Sequence, residues 1–414
     1  MSNQLSDASG RCLISKLGKD GTNCVKFRYT ILHSLEDDII KIDVRYKLGQ
    51  VSQLPSKEES GFAAVVKDKT FHASNSNETS MYFVVLPEMN RILKAHNIIW
   101  KDHVTKFNTK TLYLEENFIF LECISSTGRI NNGSLAFNNA KIVLRKLAQF
   151  HATSLVYLKK LPVDDVIYET SPLLANDEVE TRMNAAIKTI EAYWPEFKEI
   201  ATKMRSCVET FRKRLTHLLD KNGQTLKVIA LGKPYMKNMH FQYTGNDVED
   251  VVFSNFSNCF VGSCGYDLNL FLNTCLNFDA LTRERYKLLH CYYEHFSGTL
   301  KSLNENSIPS WQTILDDVHK FELIGFYGLL CEMPFCSEKN DLPKCYMLDE
   351  MKTEGVMPIS LEQEYKFLFK SARVEDMLKY GLYRFNEIRV WDYKTNWEKK
   401  PQSVSDFELD APLK

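Results

Sequence analysis

Two stretches of this 414-residue chain gather polar and charged side chains in the pattern of a built site. The first is VIALGKPYMKNMHF, Val228 to Phe241, with Lys233 and Asn238 in a polar loop between short β segments. The second is VVFSNFSNCFVGSCGYDLNLFL, Val251 to Leu272, in which a strand runs into Asn255 and a glycine-bearing loop leads to Asp267, the expected cap of the helix that follows. A lysine near its reference pKa of ~10.4 is protonated at neutral pH. Lys233 therefore offers positive charge to an anion and cannot accept a proton. An asparagine oxygen can ligate a cation but brings no charge to offset it. Three acids, Asp247, Glu249 and Asp250, precede the second strand. At strand rise, Asp250 stands roughly 16 Å from Asn255, too far to share one ion. His240 has no cysteine or carboxylate arranged around it for a metal site or a triad. His151 falls on an amphipathic helical stretch and reads as a core histidine.

The elements around these stretches change character along the chain. The first third is rich in β-branched and aromatic residues, as in Cys24–Leu32, Phe62–Val66 and Phe118–Leu121. One helix interrupts it around Glu78–Ala95, and Pro87 inside that helix marks a break. From about Asn138 the period becomes helical, with Val143, Leu147, Phe150, Ser154 and Leu158 on one face and Asn138 or Asn139 as the expected cap. Asp177–Leu219 reads as one or two amphipathic helices, a short β region follows, and helices resume from Tyr266. The reading is an α+β, bilobal chain: a β-rich lobe over 1–122 and a mostly helical lobe over 123–414, joined near Glu122–Gly128.

Composition narrows the function. With 44% hydrophobic and 25% charged residues the chain is an ordinary globular protein. A formal charge of −1, from 52 basic and 53 acidic residues, gives no general pull toward nucleic acid or anionic membrane. The longest apolar run, Leu323 to Cys331, is far short of the ~20 residues of a membrane span. The polar N-terminal stretch lacks an apolar core, so no signal peptide is expected from it. Eleven scattered cysteines include no CxxC pair. They read as reduced thiols in a cytosolic protein.

The layout of the two stretches resembles the catalytic core of aminoglycoside phosphotransferases and choline kinases, and most of all the ecdysteroid kinase-like (CHK kinase-like) family of insects. That family shows HGDxWxxNxxF, a strand ending in DFQ, then GxxxYDL. The matching positions are Leu231-Gly232-Lys233, Tyr235, Asn238 and Phe241, then Asn255-Phe256-Ser257, then Gly262 with Tyr266-Asp267-Leu268. GTNCVKFRYTI resembles the nucleotide-covering loop, with Gly21, Asn23 and Tyr29 kept. FAAVVK resembles the strand ending in the phosphate-pairing lysine, Lys67, and ETSMYFVVLP the helix that supplies its partner, Glu78. FIFLE resembles the hinge, with Glu122 kept and Cys123 replacing an aspartate. LAQFHATSL, FYGLLCEMPF and VEDMLKYGLY also have counterparts. The likeness runs from about residue 15 to 385 and rests on the order and spacing of the motifs together.

The resemblance implies a protein-kinase-like fold and an ATP site built from Gly21, Asn23, Lys67, Glu78, Glu122, Asn238 and Asn255. It also implies what is missing. The family's aspartate beside the acceptor hydroxyl is replaced by Lys233, and its magnesium-holding aspartate by Asn255. The site becomes about three charges more positive, since Asp→Lys adds two and Asp→Asn one. Asn238 and Asn255 occupy the metal positions without a carboxylate, so ATP is the expected cofactor and magnesium is disfavoured. The expectation is a catalytically inactive pseudokinase, a binding or regulatory module with a protein partner or a small apolar hydroxylated ligand such as a steroid. The alternative is an active ATP-dependent kinase acting on a hydroxyl of an ecdysteroid or similar alcohol. A weaker third reading uses Lys233 as an electrophile in altered phosphate chemistry.

Overall fold

Alternating β-branched and aromatic residues in the first third build a five-stranded antiparallel sheet. Its strands are β1 (Cys24–Glu36), β2 (Ile39–Leu48), β3 (Ser60–Asp68) and, after the short hairpin of β4 (Ile99–Trp100) and β5 (His103–Val104), β6 (Thr111–Leu114) and β7 (Phe118–Glu122). The sheet order is β1-β2-β3-β7-β6. This is a computed structural model, which describes residues 24–36, 39–48, 60–68, 75–100, 103–104, 106–109, 111–114, 118–122, 133–160, 171–220, 226–336 and 360–392. It divides into two compact units. The first comprises Met1–Asn90, Lys106–Thr127 and Val252–Ser257; the second comprises Arg91–Thr105, Gly128–Val251 and Asn258–Lys414. The strand at 251–257, placed with the helical lobe on sequence grounds, thus gives its last six residues to the sheet-bearing unit. Backbone bonding gives the reason: the Phe253 N–H donates to the Phe107 carbonyl at 2.7 Å.

Helix α1 (Asn75–Ser80) passes through a π-helical turn, Met81–Val85, into α2 (Leu86–Ala95), whose residues from Arg91 on belong to the second unit. The Leu86 N–H reaches back five residues to the Met81 carbonyl. Pro87 explains the turn. It has no N–H, and its ring would crowd the carbonyl four residues earlier in a regular helix, so the wider turn relieves it without breaking the helix. The same device recurs in the second unit, where the π turn Gly328–Glu332 precedes Pro334.

The second unit is built on α3 (Phe137–Lys159), buried along most of its length. Its cap is not an asparagine. The helix starts at Phe137 after Ala136, with no side-chain cap bond, and Asn138 and Asn139 lie inside the first turn. Next come α4 (Val179–Tyr193) and α5 (Lys198–Leu218), two helices because Pro195 forces Trp194 out of helical geometry (φ −129°, ψ 77°). Strand β8 (Val228–Ala230) pairs antiparallel with β11 (Phe260–Gly262), while β9 (Met239–Thr244) pairs with β10 (Asp247–Phe253). Then follow α6 (Cys264–Cys275), α7 (Arg285–Ser302), α8 (Trp311–Lys320), α9 (Glu322–Tyr327), α10 (Leu361–Leu368) and α11 (Ala372–Glu387). Among the described residues no helix is long and apolar enough to cross a membrane.

One buried ion triad ties three of these helices together. Glu322, at the start of α9, takes Arg285 Nη2 at 3.1 Å and both terminal nitrogens of Arg384 at 2.6 and 3.0 Å. Burial alone would raise the Glu322 carboxyl, but Arg384 and then Arg285 outweigh it and hold the pKa down to about 2. A carboxylate depressed in the folded state contributes stability above its unfolded pKa of ~4.3, and that contribution is lost as pH falls toward the folded value. The thermal midpoint should therefore drop on acidification from about pH 4.5 to about 2. Glu322→Gln should be less stable at pH 7 and show a shallower drop in the same melting series.

Candidate functional site

The loop Leu231–Asn238 is held from below by a carboxylate. Asp267 sits in the first turn of α6 and is fully buried. Its Oδ2 accepts the Leu231 N–H at 2.5 Å and its Oδ1 the Gly232 N–H at 3.0 Å. Asp267 is not the helix cap that the sequence suggested. Ser263 fills that place, its hydroxyl accepting the Gly265 N–H at 2.9 Å, and Asp317 of α8 accepts the same N–H at 2.9 Å. That division of labour frees Asp267 to reach the loop. Behind it, His151 Nε2 lies 3.1 Å from Asp267 Oδ2, and its Nδ1 lies 2.8 Å from the Tyr292 hydroxyl. Both ring nitrogens are used and the ring is buried. The core reading of His151 holds.

Gly232 is required where it stands. Its φ is +75°, a left-handed value, and a Cβ there would lie 2.2 Å from the Asn258 carbonyl oxygen. The next residue, Lys233, is half-buried. Its carbonyl accepts the Tyr235 N–H at 2.8 Å and Asn238 Nδ2 at 2.9 Å, so the Asn238 amide locks the turn that presents Lys233. Lys233 and Asn238 are thus brought together. Burial, and after it the charge of Glu332, pushes the Tyr235 hydroxyl well above its ordinary range, and the ring packs inside.

In the first unit, Asn255 adopts φ +59°, a left-handed conformation that asparagine tolerates better than most residues. Its Oδ1 accepts the Ser257 hydroxyl at 2.9 Å. The following N–H, of Phe256, donates to Glu78 Oε1 at 3.1 Å, and the Phe256 ring meets Tyr82 edge-on at 5.3 Å. Glu78 is 1% exposed. The structure therefore joins Glu78 to the Asn255 turn, a link sequence spacing did not reveal. Lys67 lies on β3 opposite Ile119 of β7, and Glu122 on β7 opposite Ala64 of β3. Their side chains are not among those described, and Gly21 and Asn23 lie outside the described residues.

One nearby acid is committed elsewhere. Asp250 bonds Arg145 Nη2 at 3.0 Å and Lys146 Nζ at 2.8 Å, both from α3. Burial lowers the Lys146 pKa and the Asp250 charge opposes it, so Asp250 serves to keep a buried cation paired. A magnesium ion is a hard cation that takes carboxylate, phosphate and water oxygens. Asn238 and Asn255, the residues at the family's metal positions, are neutral, and among the described residues no group of three or more His, Cys, Asp or Glu could hold a metal.

Comparison with known proteins adds a family. The sequence model of the ecdysteroid kinase-like family matches residues 58–305. No curated protein matches the chain. Among solved structures, a choline kinase from Cryptosporidium parvum Iowa II is similar at 10% identity over 89% of this chain and 91% of its own, with a TM-score of 0.41. A Plasmodium vivax ethanolamine kinase is similar at 11% identity over 95% and 93%, TM-score 0.39. A putative aminoglycoside phosphotransferase from Ralstonia eutropha is similar at 12% identity over 87% and 95%, TM-score 0.40.

Proposed function

The chain belongs to the ecdysteroid kinase-like family, and from that membership we propose that it is a catalytically silent member, a module that binds a nucleotide or other phosphate without magnesium. The observation that carries this reading is the pair Lys233 and Asn255, at positions where the family has aspartates, with Asp250 and Asp267 held by other partners. A lysine ammonium neutralises phosphate oxygens as a point charge and does part of what a metal does elsewhere. At an effective dielectric near 20, two unit charges ~4 Å apart interact by about 4 kcal/mol, which favours an anion and disfavours a dication beside Lys233. In the inactive reading the module acts through a protein partner or an apolar hydroxylated ligand.

Calorimetric titration with ATP tests it. Binding should persist in EDTA, weaken with rising salt as a screened ionic interaction must, and fall on Lys233→Ala. Binding that requires added magnesium would overturn the reading.

The built geometry of the loop favours a second reading, an active kinase for a hydroxyl of an ecdysteroid or similar apolar alcohol. Asn238 locks the turn at Lys233, and Asp267 holds the two preceding N–H groups, as a working catalytic loop would require. Phosphotransfer to a hydroxylated sterol that is abolished by Asn238→Ala would establish it.

A further inference from the structure

The carboxylate that anchors the Lys233 loop is one end of a longer buried line. From Asp267 Oδ2 the line runs to His151 Nε2 at 3.1 Å, and from His151 Nδ1 to the Tyr292 hydroxyl at 2.8 Å. The Tyr292 hydroxyl is hydrogen-bonded to the Cys264 sulfur, and Cys264 Sγ stands 3.2 Å from Asp317 Oδ2. All of these side chains, from α3, α6, α7 and α8, are buried. At its far end Asp317 Oδ2 also accepts the Ser263 hydroxyl and the Gly265 N–H. The other ionisable groups bearing on the two carboxylates are Lys320, which brings positive charge to Asp317, and Tyr266 beside Asp267, whose hydroxyl is bonded to Ser171.

Each link needs one hydrogen, and the side chains in their commonest forms supply too few. Burial pushes the Cys264 thiol and the Tyr292 hydroxyl well above their ordinary ranges, so each keeps its hydrogen. A neutral imidazole adds one more. With both carboxylates ionised that makes three hydrogens for four links. A link without a hydrogen sets two lone pairs against each other where solvent cannot relieve them. The line therefore closes only with one proton in excess, and two arrangements close it. In the first, His151 is an imidazolium that donates to Asp267 and Tyr292, while Tyr292 and Cys264 pass their hydrogens on toward Asp317. In the second, Asp317 carries the proton and every bond between it and His151 Nδ1 is reversed. Asp267 remains the acceptor in both, because its oxygens also take the Leu231 and Gly232 N–H groups. Burial raises the Asp317 carboxyl against the opposing pull of Ser263, Gly265 and Cys264, which favours a proton at that end.

We infer that one proton, shared along Asp317, Cys264, Tyr292, His151 and Asp267, holds the Leu231–Gly232 turn in place, and that Asp317 is a positioning residue for the Lys233 loop. The proton comes from solvent and returns to it; only N–H, O–H and S–H bonds change. A proton bound only by the folded line stabilises the loop at lower pH, and that hold is lost as pH rises through the pKa of the shared proton. The assignment applies equally to a silent binder and to an active kinase.

Nitrogen NMR of the full chain with isotope-labelled histidine tests it at neutral pH, the His151 ring being assigned through its contact with Tyr292. The wild-type ring should carry hydrogen on both nitrogens, or on Nε2 alone together with a protonated-carboxyl band in the infrared that Asp317→Asn removes. In Asp317→Asn the amide supplies the fourth hydrogen itself, so the ring should be neutral, with its hydrogen on Nε2, and no excess proton is needed. Hydrogen exchange reads the loop. In the wild type the Leu231 and Gly232 amides should speed up with rising pH by more than base catalysis alone. That surplus should vanish in Asp317→Asn and persist in Ser263→Ala, which removes a bond to the same carboxylate but leaves the line intact. A wild-type ring with hydrogen on Nδ1 alone, or with one hydrogen and no protonated carboxyl, would overturn the inference without any variant. So would a carboxyl band or an exchange surplus that survives Asp317→Asn, or a surplus that Ser263→Ala also abolishes. No nucleotide is present, so these outcomes are independent of the magnesium-free titration with ATP.

Discussion

Asp267→Ala should lower the unfolding free energy by about 3–5 kcal/mol, the range for breaking a buried, hydrogen-bonded charge arrangement. The carboxylate is fully buried and serves three partners at once: the Leu231 and Gly232 N–H groups and the His151 ring. Alanine leaves two backbone donors without their acceptor inside the fold, at about 1–3 kcal/mol for each unmet group. It also frees a ring that now spans Asp267 and Tyr292. Asp267→Asn should cost less, because the amide keeps one acceptor oxygen for the loop while its NH2 meets the other N–H unfavourably. Urea unfolding followed by circular dichroism reads both. An alanine variant with an unchanged midpoint would mean the loop is held by its own turn, through Asn238 and Lys233, without support from α6. Loss of the Lys233-dependent ATP signal in a still-folded Asp267→Asn protein would show that the carboxylate sets the loop's geometry as well as its stability.

The double substitution Lys233→Asp with Asn255→Asp should create magnesium-dependent ATP binding, with affinity in magnesium rising on the order of tenfold or more over affinity in EDTA, equivalent to about 1.4 kcal/mol. Charge and geometry both support this. The change makes the family's two acidic positions acidic again and makes the chain three charges more negative, two at 233 and one at 255. Neither replacement strains the fold. Aspartate tolerates the left-handed backbone of Asn255, φ +59°, about as well as asparagine, and can accept the same Ser257 hydroxyl. Lys233 is half-buried, and the bonds that shape its turn run through its backbone carbonyl, which survives substitution. Turnover need not follow, since Leu231 and Ser257 also depart from the family motif. Calorimetry with and without magnesium gives the answer. Equal affinity in both would mean that the site lacks more than two charges, and that the departure from the family extends into its architecture.

Much of this was legible in the linear chain because it depends on local rules. Alternation of β-branched residues gave the sheet strands, helical spacing from Val143 to Leu158 gave α3, and Pro195 separated α4 from α5 where one or two helices had been open. The turn joining Lys233 to Asn238 is also local, five residues apart. Substitutions such as Lys233 and Asn255 are readable from sequence because a missing charge is a property of residue type alone. What the tertiary structure decided depends on partners far along the chain. Asp267 looked like a cap, since a carboxylate in a first helical turn usually serves its own helix. Only the fold brings Leu231 and Gly232 within its reach, 36 and 35 residues away, while Ser263 and Asp317 take over the capping. Glu78 lies 178 residues from the Phe256 N–H it accepts, and Arg182 lies 150 from Glu332. A polar side chain states in sequence what it can bond; which of several donors it reaches is fixed by how the helices and strands pack, because burial penalises every alternative that leaves a group unmet.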